Sequence, residues 1–146
     1  MSASVLIIGI DWQYIDKVAR AVATKKDKMF LSVHDLIIYE MQGLIGDVNN
    51  YDKDYVNGEI KKRIIETLQY EDSIMSLDIS NLNDEEIDLV IQKMPKIYVQ
   101  KNNNDEVFNI VYEDRDKLLK ECANFVVSEK DFEAQVEEVL EIVKNL

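Results

Sequence analysis

The stretch Val5 to Ala23, VLIIGIDWQYIDKVARAVA, has the layout of a strand, a tight turn and a helix. Ser4 to Ile10 is an apolar run without alternation, which is typical of a central parallel strand covered on both faces. From Asp11 the apolar residues recur at helical spacing, and Asp11 is well placed to be the N-cap of that helix. Such a strand, turn and helix commonly hold the phosphates of a nucleotide.

Predicted strands and helices alternate along the rest of the chain. Further strands are predicted at Met29–Val33, Ser73–Ile79, Lys96–Gln100 and Asn124–Ser128. Helices are predicted from His34, at Gly58–Tyr70, at Asn83–Met94, in the segment after a short strand near Val107, and at Asp131–Leu146, with a loop or weak helix before Gly58. Five strands alternating with helices indicate an α/β fold with a parallel sheet. We expect residues 1–146 to form a single domain.

Charge and composition exclude several functional classes. The chain has 17 Lys and Arg against 29 Asp and Glu, a formal net charge of -12, so it is an acidic protein that should repel nucleic acid and oppose the binding of ATP. No apolar run approaches the roughly 20 residues that cross a bilayer, and no secretory signal is visible, so we expect a cytoplasmic protein without membrane contact. Cys122 is the only cysteine, which leaves no internal disulfide or cysteine zinc site.

The order of the landmarks resembles that of the shikimate kinases, small members of the P-loop nucleoside-monophosphate-kinase-like fold. The segment MFLSVHDLI resembles the family phrase PFIDTDELI, and YEDRDKLLKECANFVV resembles YxxRxPLYxxxADxVV. The strand end IIG, the following KVARAVA and the final acidic helix match in order. This resemblance implies a three-layer α/β/α fold with a five-stranded parallel sheet in the order 2-3-1-4-5, and with a reduced lid at KNNNDE.

The phosphate-loop residues depart from the family pattern. A phosphate loop, GxxxxGK[ST], needs glycines so that backbone N–H groups turn toward the phosphates, a lysine to neutralise charge, and a hydroxyl to ligate magnesium. Starting at Gly9, the matching residues read GIDWQYID. Tyr14 stands in the place of the second glycine, Ile15 in that of the lysine and Asp16 in that of the hydroxyl residue, while Trp12 replaces a residue that is usually glycine.

The residues at the positions of the family's substrate and magnesium ligands also depart from the family pattern. Ser32 and His34 stand where the family has paired aspartates, and Gly58 stands near the place of a substrate-binding arginine. Of the family's substrate contacts, the resemblance retains Arg115. Phosphoryl transfer depends almost entirely on positioning and charge neutralisation. We therefore predict no shikimate kinase activity, no catalytic residue, no cofactor and no metal.

The first functional hypothesis is a pseudoenzyme, a non-catalytic binding or regulatory protein that has a protein partner or forms a homo-oligomer. In it, Asp11 or Asp16 supplies the negative charge of the missing phosphate, and Trp12 and Tyr14 cover the vacated space. Either aromatic residue could instead face solvent or pack on a neighbour. Together with Tyr51 and Tyr55, they are candidates for a partner surface.

Two alternatives remain open. One is a small anionic-ligand binder in which Arg115 and His34 hold a carboxylate, although an arginine among acids is more often part of a surface ion pair. The other is a different enzyme on the same fold, for instance with a divalent metal bound by Asp11, Asp16 and Asp78.

Overall fold

The computed structural model describes residues 4–40, 53–78, 84–101, 111–128 and 131–146. They form five strands and six helices in the order β1 Val5–Gly9, α1 Trp12–Lys26, β2 Met29–Ser32, α2 Val33–Glu40, α3 Lys53–Leu68, β3 Ser73–Asp78, α4 Glu85–Ile91, β4 Lys96–Val99, α5 Glu113–Cys122, β5 Phe125–Val127 and α6 Phe132–Lys144. Strands and helices therefore alternate as predicted.

All the strand pairings are parallel, and the sheet order is β2-β3-β1-β4-β5. This confirms the predicted α/β class and the 2-3-1-4-5 order. β1 lies in the centre and is buried along its whole length. The apolar run without alternation is explained by this position, since a strand with helices over both faces has no solvent side.

Each face of the sheet has its own apolar core. Alternate residues of β1, Val5 and Ile7, face a cluster with α1 and α6, whereas Leu6 and Ile8 face a cluster that includes residues of α2, α3, α4 and α5. The side chains on a strand alternate between its faces, so a single strand contributes to both cores. The result is the predicted three-layer arrangement.

The helix ends follow local side-chain chemistry. Asp11 is the N-cap of α1, as predicted, and Asp84 and Asp131 cap α4 and α6 in the same way. In each case the carboxylate accepts backbone N–H groups that have no partner inside the helix. The apolar stripe of α6 is also confirmed, with Val136 and Val139 buried against the α1 side of the sheet.

Several boundaries differ from the prediction by a few residues: α2 begins at Val33, α4 ends at Ile91, and the start of α3 moves furthest. The polar residues before Gly58 were expected to be a loop or weak helix, but α3 begins at Lys53. Val56 is buried in this first turn and anchors it to the protein, so tertiary packing outweighs weak local propensity. The short strand expected near Val107, the residues of the shortened lid after Lys101, and Tyr51 lie outside the described residues.

Within the described residues, no helix has both the length and the apolar character required to cross a membrane.

Candidate functional site

The carboxyl ends of the strands are the usual ligand-binding edge of such a sheet. Here the turn after β1 lies at this edge, and Gly9 ends the strand. A Cβ atom on Gly9 would lie 2.4 Å from Cγ2 of Ile15 and 3.1 Å from the Val99 carbonyl oxygen. Only glycine fits, because Ile15, which is 1% exposed, packs directly against the strand end.

Asp11 occupies the N-terminus of α1. Its carboxylate accepts the backbone N–H groups of Gln13 at 3.1 Å and Tyr14 at 3.3 Å. The ammonium group of Lys101, the second residue after β4, lies 3.0 Å from the same carboxylate. Desolvation raises the pKa of Asp11, but the hydrogen bonds from Lys101 and from the backbone outweigh it and leave the pKa lowered. A carboxylate thus already fills the anion position at this helix end.

Asp16 lies one turn further along α1 and faces the sheet. It is 8% exposed and accepts hydrogen bonds from Ser32 at the end of β2, at 2.9 Å, and from Ser76 in β3. Desolvation, the largest influence, raises its pKa, and the carboxylate of Asp35 raises it further; the two serine bonds and His34 lower it without cancelling the rise. Asp16 therefore ties α1 to two strands through neutral donors.

The two aromatic residues of the loop, Trp12 and Tyr14, contact different parts of the protein. The ring of Trp12 stacks on His34, with centroids 4.0 Å apart. The Tyr14 hydroxyl donates to the side-chain carbonyl of Gln135 on α6, and its ring lies edge-on to Phe132 with centroids 6.2 Å apart. Both side chains are partly exposed, so they flank the loop, and the side chain packed on Gly9 is Ile15.

Gln135 begins a chain of hydrogen bonds across the sheet edge. It is fully buried, and its amide group donates to the Gln100 carbonyl oxygen after β4. The Gln100 amide group donates in turn to Asp116 on α5 at 3.0 Å, and the buried Tyr98 hydroxyl donates to the same carboxylate. With Tyr14, this network links α1, α6, β4 and α5.

The charge state of Asp116 differs from that of Asp16. Desolvation raises the pKa of Asp116, but hydrogen bonds from Tyr98, Gln100 and Lys120 together outweigh it, so the pKa is lowered. Lys120 also forms an ion pair with it at 3.0 Å. The pKa of Tyr98 is raised by burial and by its bond to Asp116. At neutral pH this cluster is an ionised carboxylate with a full set of donors.

Arg115 and His34, the residues expected to hold a carboxylate, have different partners. Arg115 is exposed, and its guanidinium carbon lies 5.3 Å from the ring centroid of Tyr112. His34 stacks on Trp12 and follows β2, whereas Arg115 follows β4, on the other side of β1 in the sheet. In these contacts the two residues share no partner, so the contacts do not form the expected carboxylate site.

Among the described residues, no group of three or more His, Cys, Asp and Glu side chains is arranged to hold a metal ion. Asp11 is engaged by Lys101 and Asp16 by two serines. The side chain of Asp78 lies outside the described residues, so a site that includes it stays a prediction.

Sequence reasoning missed the residues that connect these groups. Lys101 could have been found because the carboxyl ends of neighbouring parallel strands meet, which places the residues after β4 beside the turn after β1. Gln135 had a weaker signal: it is a polar residue next to Val136 in the buried stripe of α6. Ser76 carried no signal, because its partner Asp16 is 60 positions away in the chain.

Solved structures that are similar to this chain include three shikimate kinases. That from Acinetobacter baumannii, in complex with shikimate, aligns over 99% of this chain and 94% of its own with a TM-score of 0.77 and 10% identity. Those from Bacteroides thetaiotaomicron and Aquifex aeolicus give TM-scores of 0.73 and 0.71, with 12% and 16% identity; each alignment covers 97% of this chain, and 98% and 96% of the respective kinase. No family model and no curated protein matches. The fold is therefore shikimate kinase-like.

Proposed function

We propose that this protein is a non-catalytic member of the shikimate kinase-like fold, a pseudoenzyme that acts by binding a protein partner or a second copy of itself. The observation that carries this proposal is the packing of Ile15 on Gly9. In a phosphate loop, the lysine at this position supplies a cation to the phosphates. Here the position holds a buried aliphatic side chain that fits tightly against the strand end.

The N-terminus of α1 gives independent support. Two of its backbone donors are directed to the carboxylate of Asp11, so a phosphate would have to displace that carboxylate. The carboxylate of Asp16 stands where magnesium would need a hydroxyl ligand, and it is held by Ser32 and Ser76. The ammonium group of Lys101 is already paired with the carboxylate of Asp11, at 3.0 Å. These residues do not fit a bound Mg-triphosphate.

The partner half of the proposal is supported by exposed aromatic residues. Tyr39, Tyr55 and Tyr70 are 77%, 53% and 58% exposed. Aromatic residues are enriched at protein interfaces relative to the rest of the surface. The oligomeric state is tested by size-exclusion chromatography with light scattering. A monomer at all concentrations would leave a different protein as the partner.

The proposal as a whole is tested by titrating the protein with Mg-ATP and, separately, with shikimate, following heat and melting temperature together. An intact shikimate kinase in the same buffers is the positive control. A ligand at 100 times its dissociation constant stabilises a protein by about 2.7 kcal/mol, which is well within detection. We expect no heat and no shift with either ligand. A shift with Mg-ATP would overturn the proposal, and a shift with shikimate alone would favour a small-ligand binder.

A further inference from the structure

A second candidate site lies along α1, next to the turn after β1, and shares Trp12, Gln13 and Asp16 with the stretch that corresponds to the phosphate loop. It is a surface groove of about 580 Å³, which falls within the roughly 300–1,000 Å³ typical of small-molecule sites. The residues that line it are Trp12, Gln13, Asp16, Lys17, Arg20 and Asp35. Five of them belong to one face of α1, and Asp35 belongs to the first turn of α2.

The groove carries charges of both signs. Lys17 and Arg20 are exposed and are three residues apart, so they are neighbours on the helix surface. Asp35, also exposed, supplies a carboxylate at the start of α2. Asp16 adds a second carboxylate at the base, but both its oxygens accept from serines. The groups available to a ligand are thus two cations and one carboxylate.

Aromatic contacts hold two of the lining residues in place. The Trp12 ring is stacked on His34 at 4.0 Å between centroids. The guanidinium carbon of Arg20 lies 5.2 Å from the ring centroid of Phe30, within the range of a cation–π contact. A groove whose aromatic and cationic walls are already positioned loses less conformational entropy when a ligand binds.

We propose that this groove binds a small zwitterion of the amino-acid class. The ligand carboxylate is held by Lys17 and Arg20, its ammonium group by Asp35, and its apolar side chain lies along Trp12. A purely anionic ligand would be repelled by the net charge of -12, and a simple amine would leave both cations unpaired. The charged groups that hold the ligand, Lys17, Arg20 and Asp35, lie outside the stretch Gly9–Asp16 and do not include Arg115, so leucine binding is tested without Mg-ATP and its failure is distinguishable from a failure of the proposed function.

The test uses Trp12, the only tryptophan of the chain, as the reporter. Three probes are titrated while fluorescence and heat are recorded: L-leucine, isoamylamine, which lacks the carboxylate, and 4-methylpentanoate, which lacks the ammonium group. We expect leucine to bind about fivefold more tightly than either analogue, as is typical for one exposed ion pair at the upper end of its range. The proposal would be overturned if leucine and either analogue bound with equal affinity. It would also be overturned if neither fluorescence nor heat detected leucine binding.

Matched variants locate the interaction. Lys17→Gln with Arg20→Gln should remove the advantage of leucine over isoamylamine, and Asp35→Asn its advantage over 4-methylpentanoate. Lys93→Gln with Lys117→Gln removes the same charge from exposed positions outside the groove and should change neither. If that control pair weakens leucine binding as much as the groove pair does, the effect is one of net charge and the assignment to the groove is wrong.

Discussion

Asp16 and Asp116 are two carboxylates near the same edge of the sheet, and their environments have opposite effects. Each accepts hydrogen bonds from side chains on or just after the strands, Asp16 from Ser32 and Ser76, and Asp116 from Tyr98 and Gln100. Yet the pKa of Asp16 is raised, whereas that of Asp116 is lowered.

The two carboxylates differ in the groups that surround them besides their two neutral donors. Asp116 also has the ammonium group of Lys120 at 3.0 Å and keeps part of its side chain in water. Asp16 is almost fully buried, and its further influences include the repulsive carboxylate of Asp35. Two hydroxyl groups do not offset the desolvation of a carboxylate, but a cation and partial hydration do.

The largest expected effect comes from removing the ionised member of the comparison. Asp116→Ala leaves the hydroxyl of Tyr98, a residue only 2% exposed, without its acceptor, and should lower the free energy of unfolding by about 2 kcal/mol. Urea denaturation measures the change. Asp114→Ala, at an exposed neighbour, should remain within about 0.5 kcal/mol of the original protein.

A double-mutant cycle measures the coupling energy between Tyr98 and Asp116. In the Asp116→Ala background, Tyr98→Phe should cost little further stability, because the hydroxyl group has already lost its partner. Fully additive losses would mean that the bond between Tyr98 and Asp116 does not stabilise the fold.

Substitution by the isosteric amide should change the free energy of unfolding differently at Asp16 and at Asp116. At pH 7, Asp16→Asn should leave the stability unchanged or raise it by up to about 1 kcal/mol, because an amide can bond to both serines without burying a charge. Asp116→Asn should lower it by about 1 kcal/mol, since the pair with Lys120 and the charge-assisted bonds are lost. Both are measured by urea denaturation. If Asp16→Asn lowered the free energy of unfolding by more than about 1 kcal/mol, the charge of Asp16 would stabilise the fold, contrary to the prediction.

The pH dependence of these two variants should have opposite signs. Because the folded pKa of Asp16 is raised above its ordinary 3.8, its stabilising contribution is present below that value and is lost as pH rises through the folded pKa. For Asp116 the folded pKa is lowered, so its contribution is present above 3.8 and is lost as pH falls through the folded pKa. Unfolding free energies of the original protein minus each amide variant, from pH 3 to 7, should therefore slope downward for Asp16 and upward for Asp116. Slopes of one sign would refute the assignment.

The smallest effect should come from Lys120. Lys120→Gln removes an exposed ion pair to Asp116 four residues earlier and should cost about 0.3–0.5 kcal/mol. It should also raise the pKa of Asp116 toward its ordinary value, because Lys120 is one of the groups that lower it. Carbon-13 NMR titration of the Asp116 carboxyl group follows this change, with Lys117→Gln as the matched control. An unmoved pKa would assign the lowering to Tyr98 and Gln100 alone.

These clusters also mark where prediction from sequence succeeded and where it ended. The elements of the sheet and the cap at Asp11 could be predicted because periodicity and N-cap chemistry act over a few neighbouring residues. The bond between Asp16 and Ser76 could not, because it depends on the register of α1 over β3. Likewise, nothing near Gln135 in the chain indicates that it bonds to Gln100. The opposite charge states depend on such long-range partners.

The central place of β1 has a consequence for synthesis. Val5 pairs with Ile74 and Leu6 with Lys96, so neither neighbour of β1 exists until long after β1 has been translated. At about 5–20 residues per second, the roughly 70 residues before β3 take roughly 4–14 s to make. During that interval an uncharged, β-branched segment is unpaired, and such segments are prone to aggregate. The speed of translation between β1 and β3, more than the stability of the finished fold, sets how long the nascent chain is exposed to this risk.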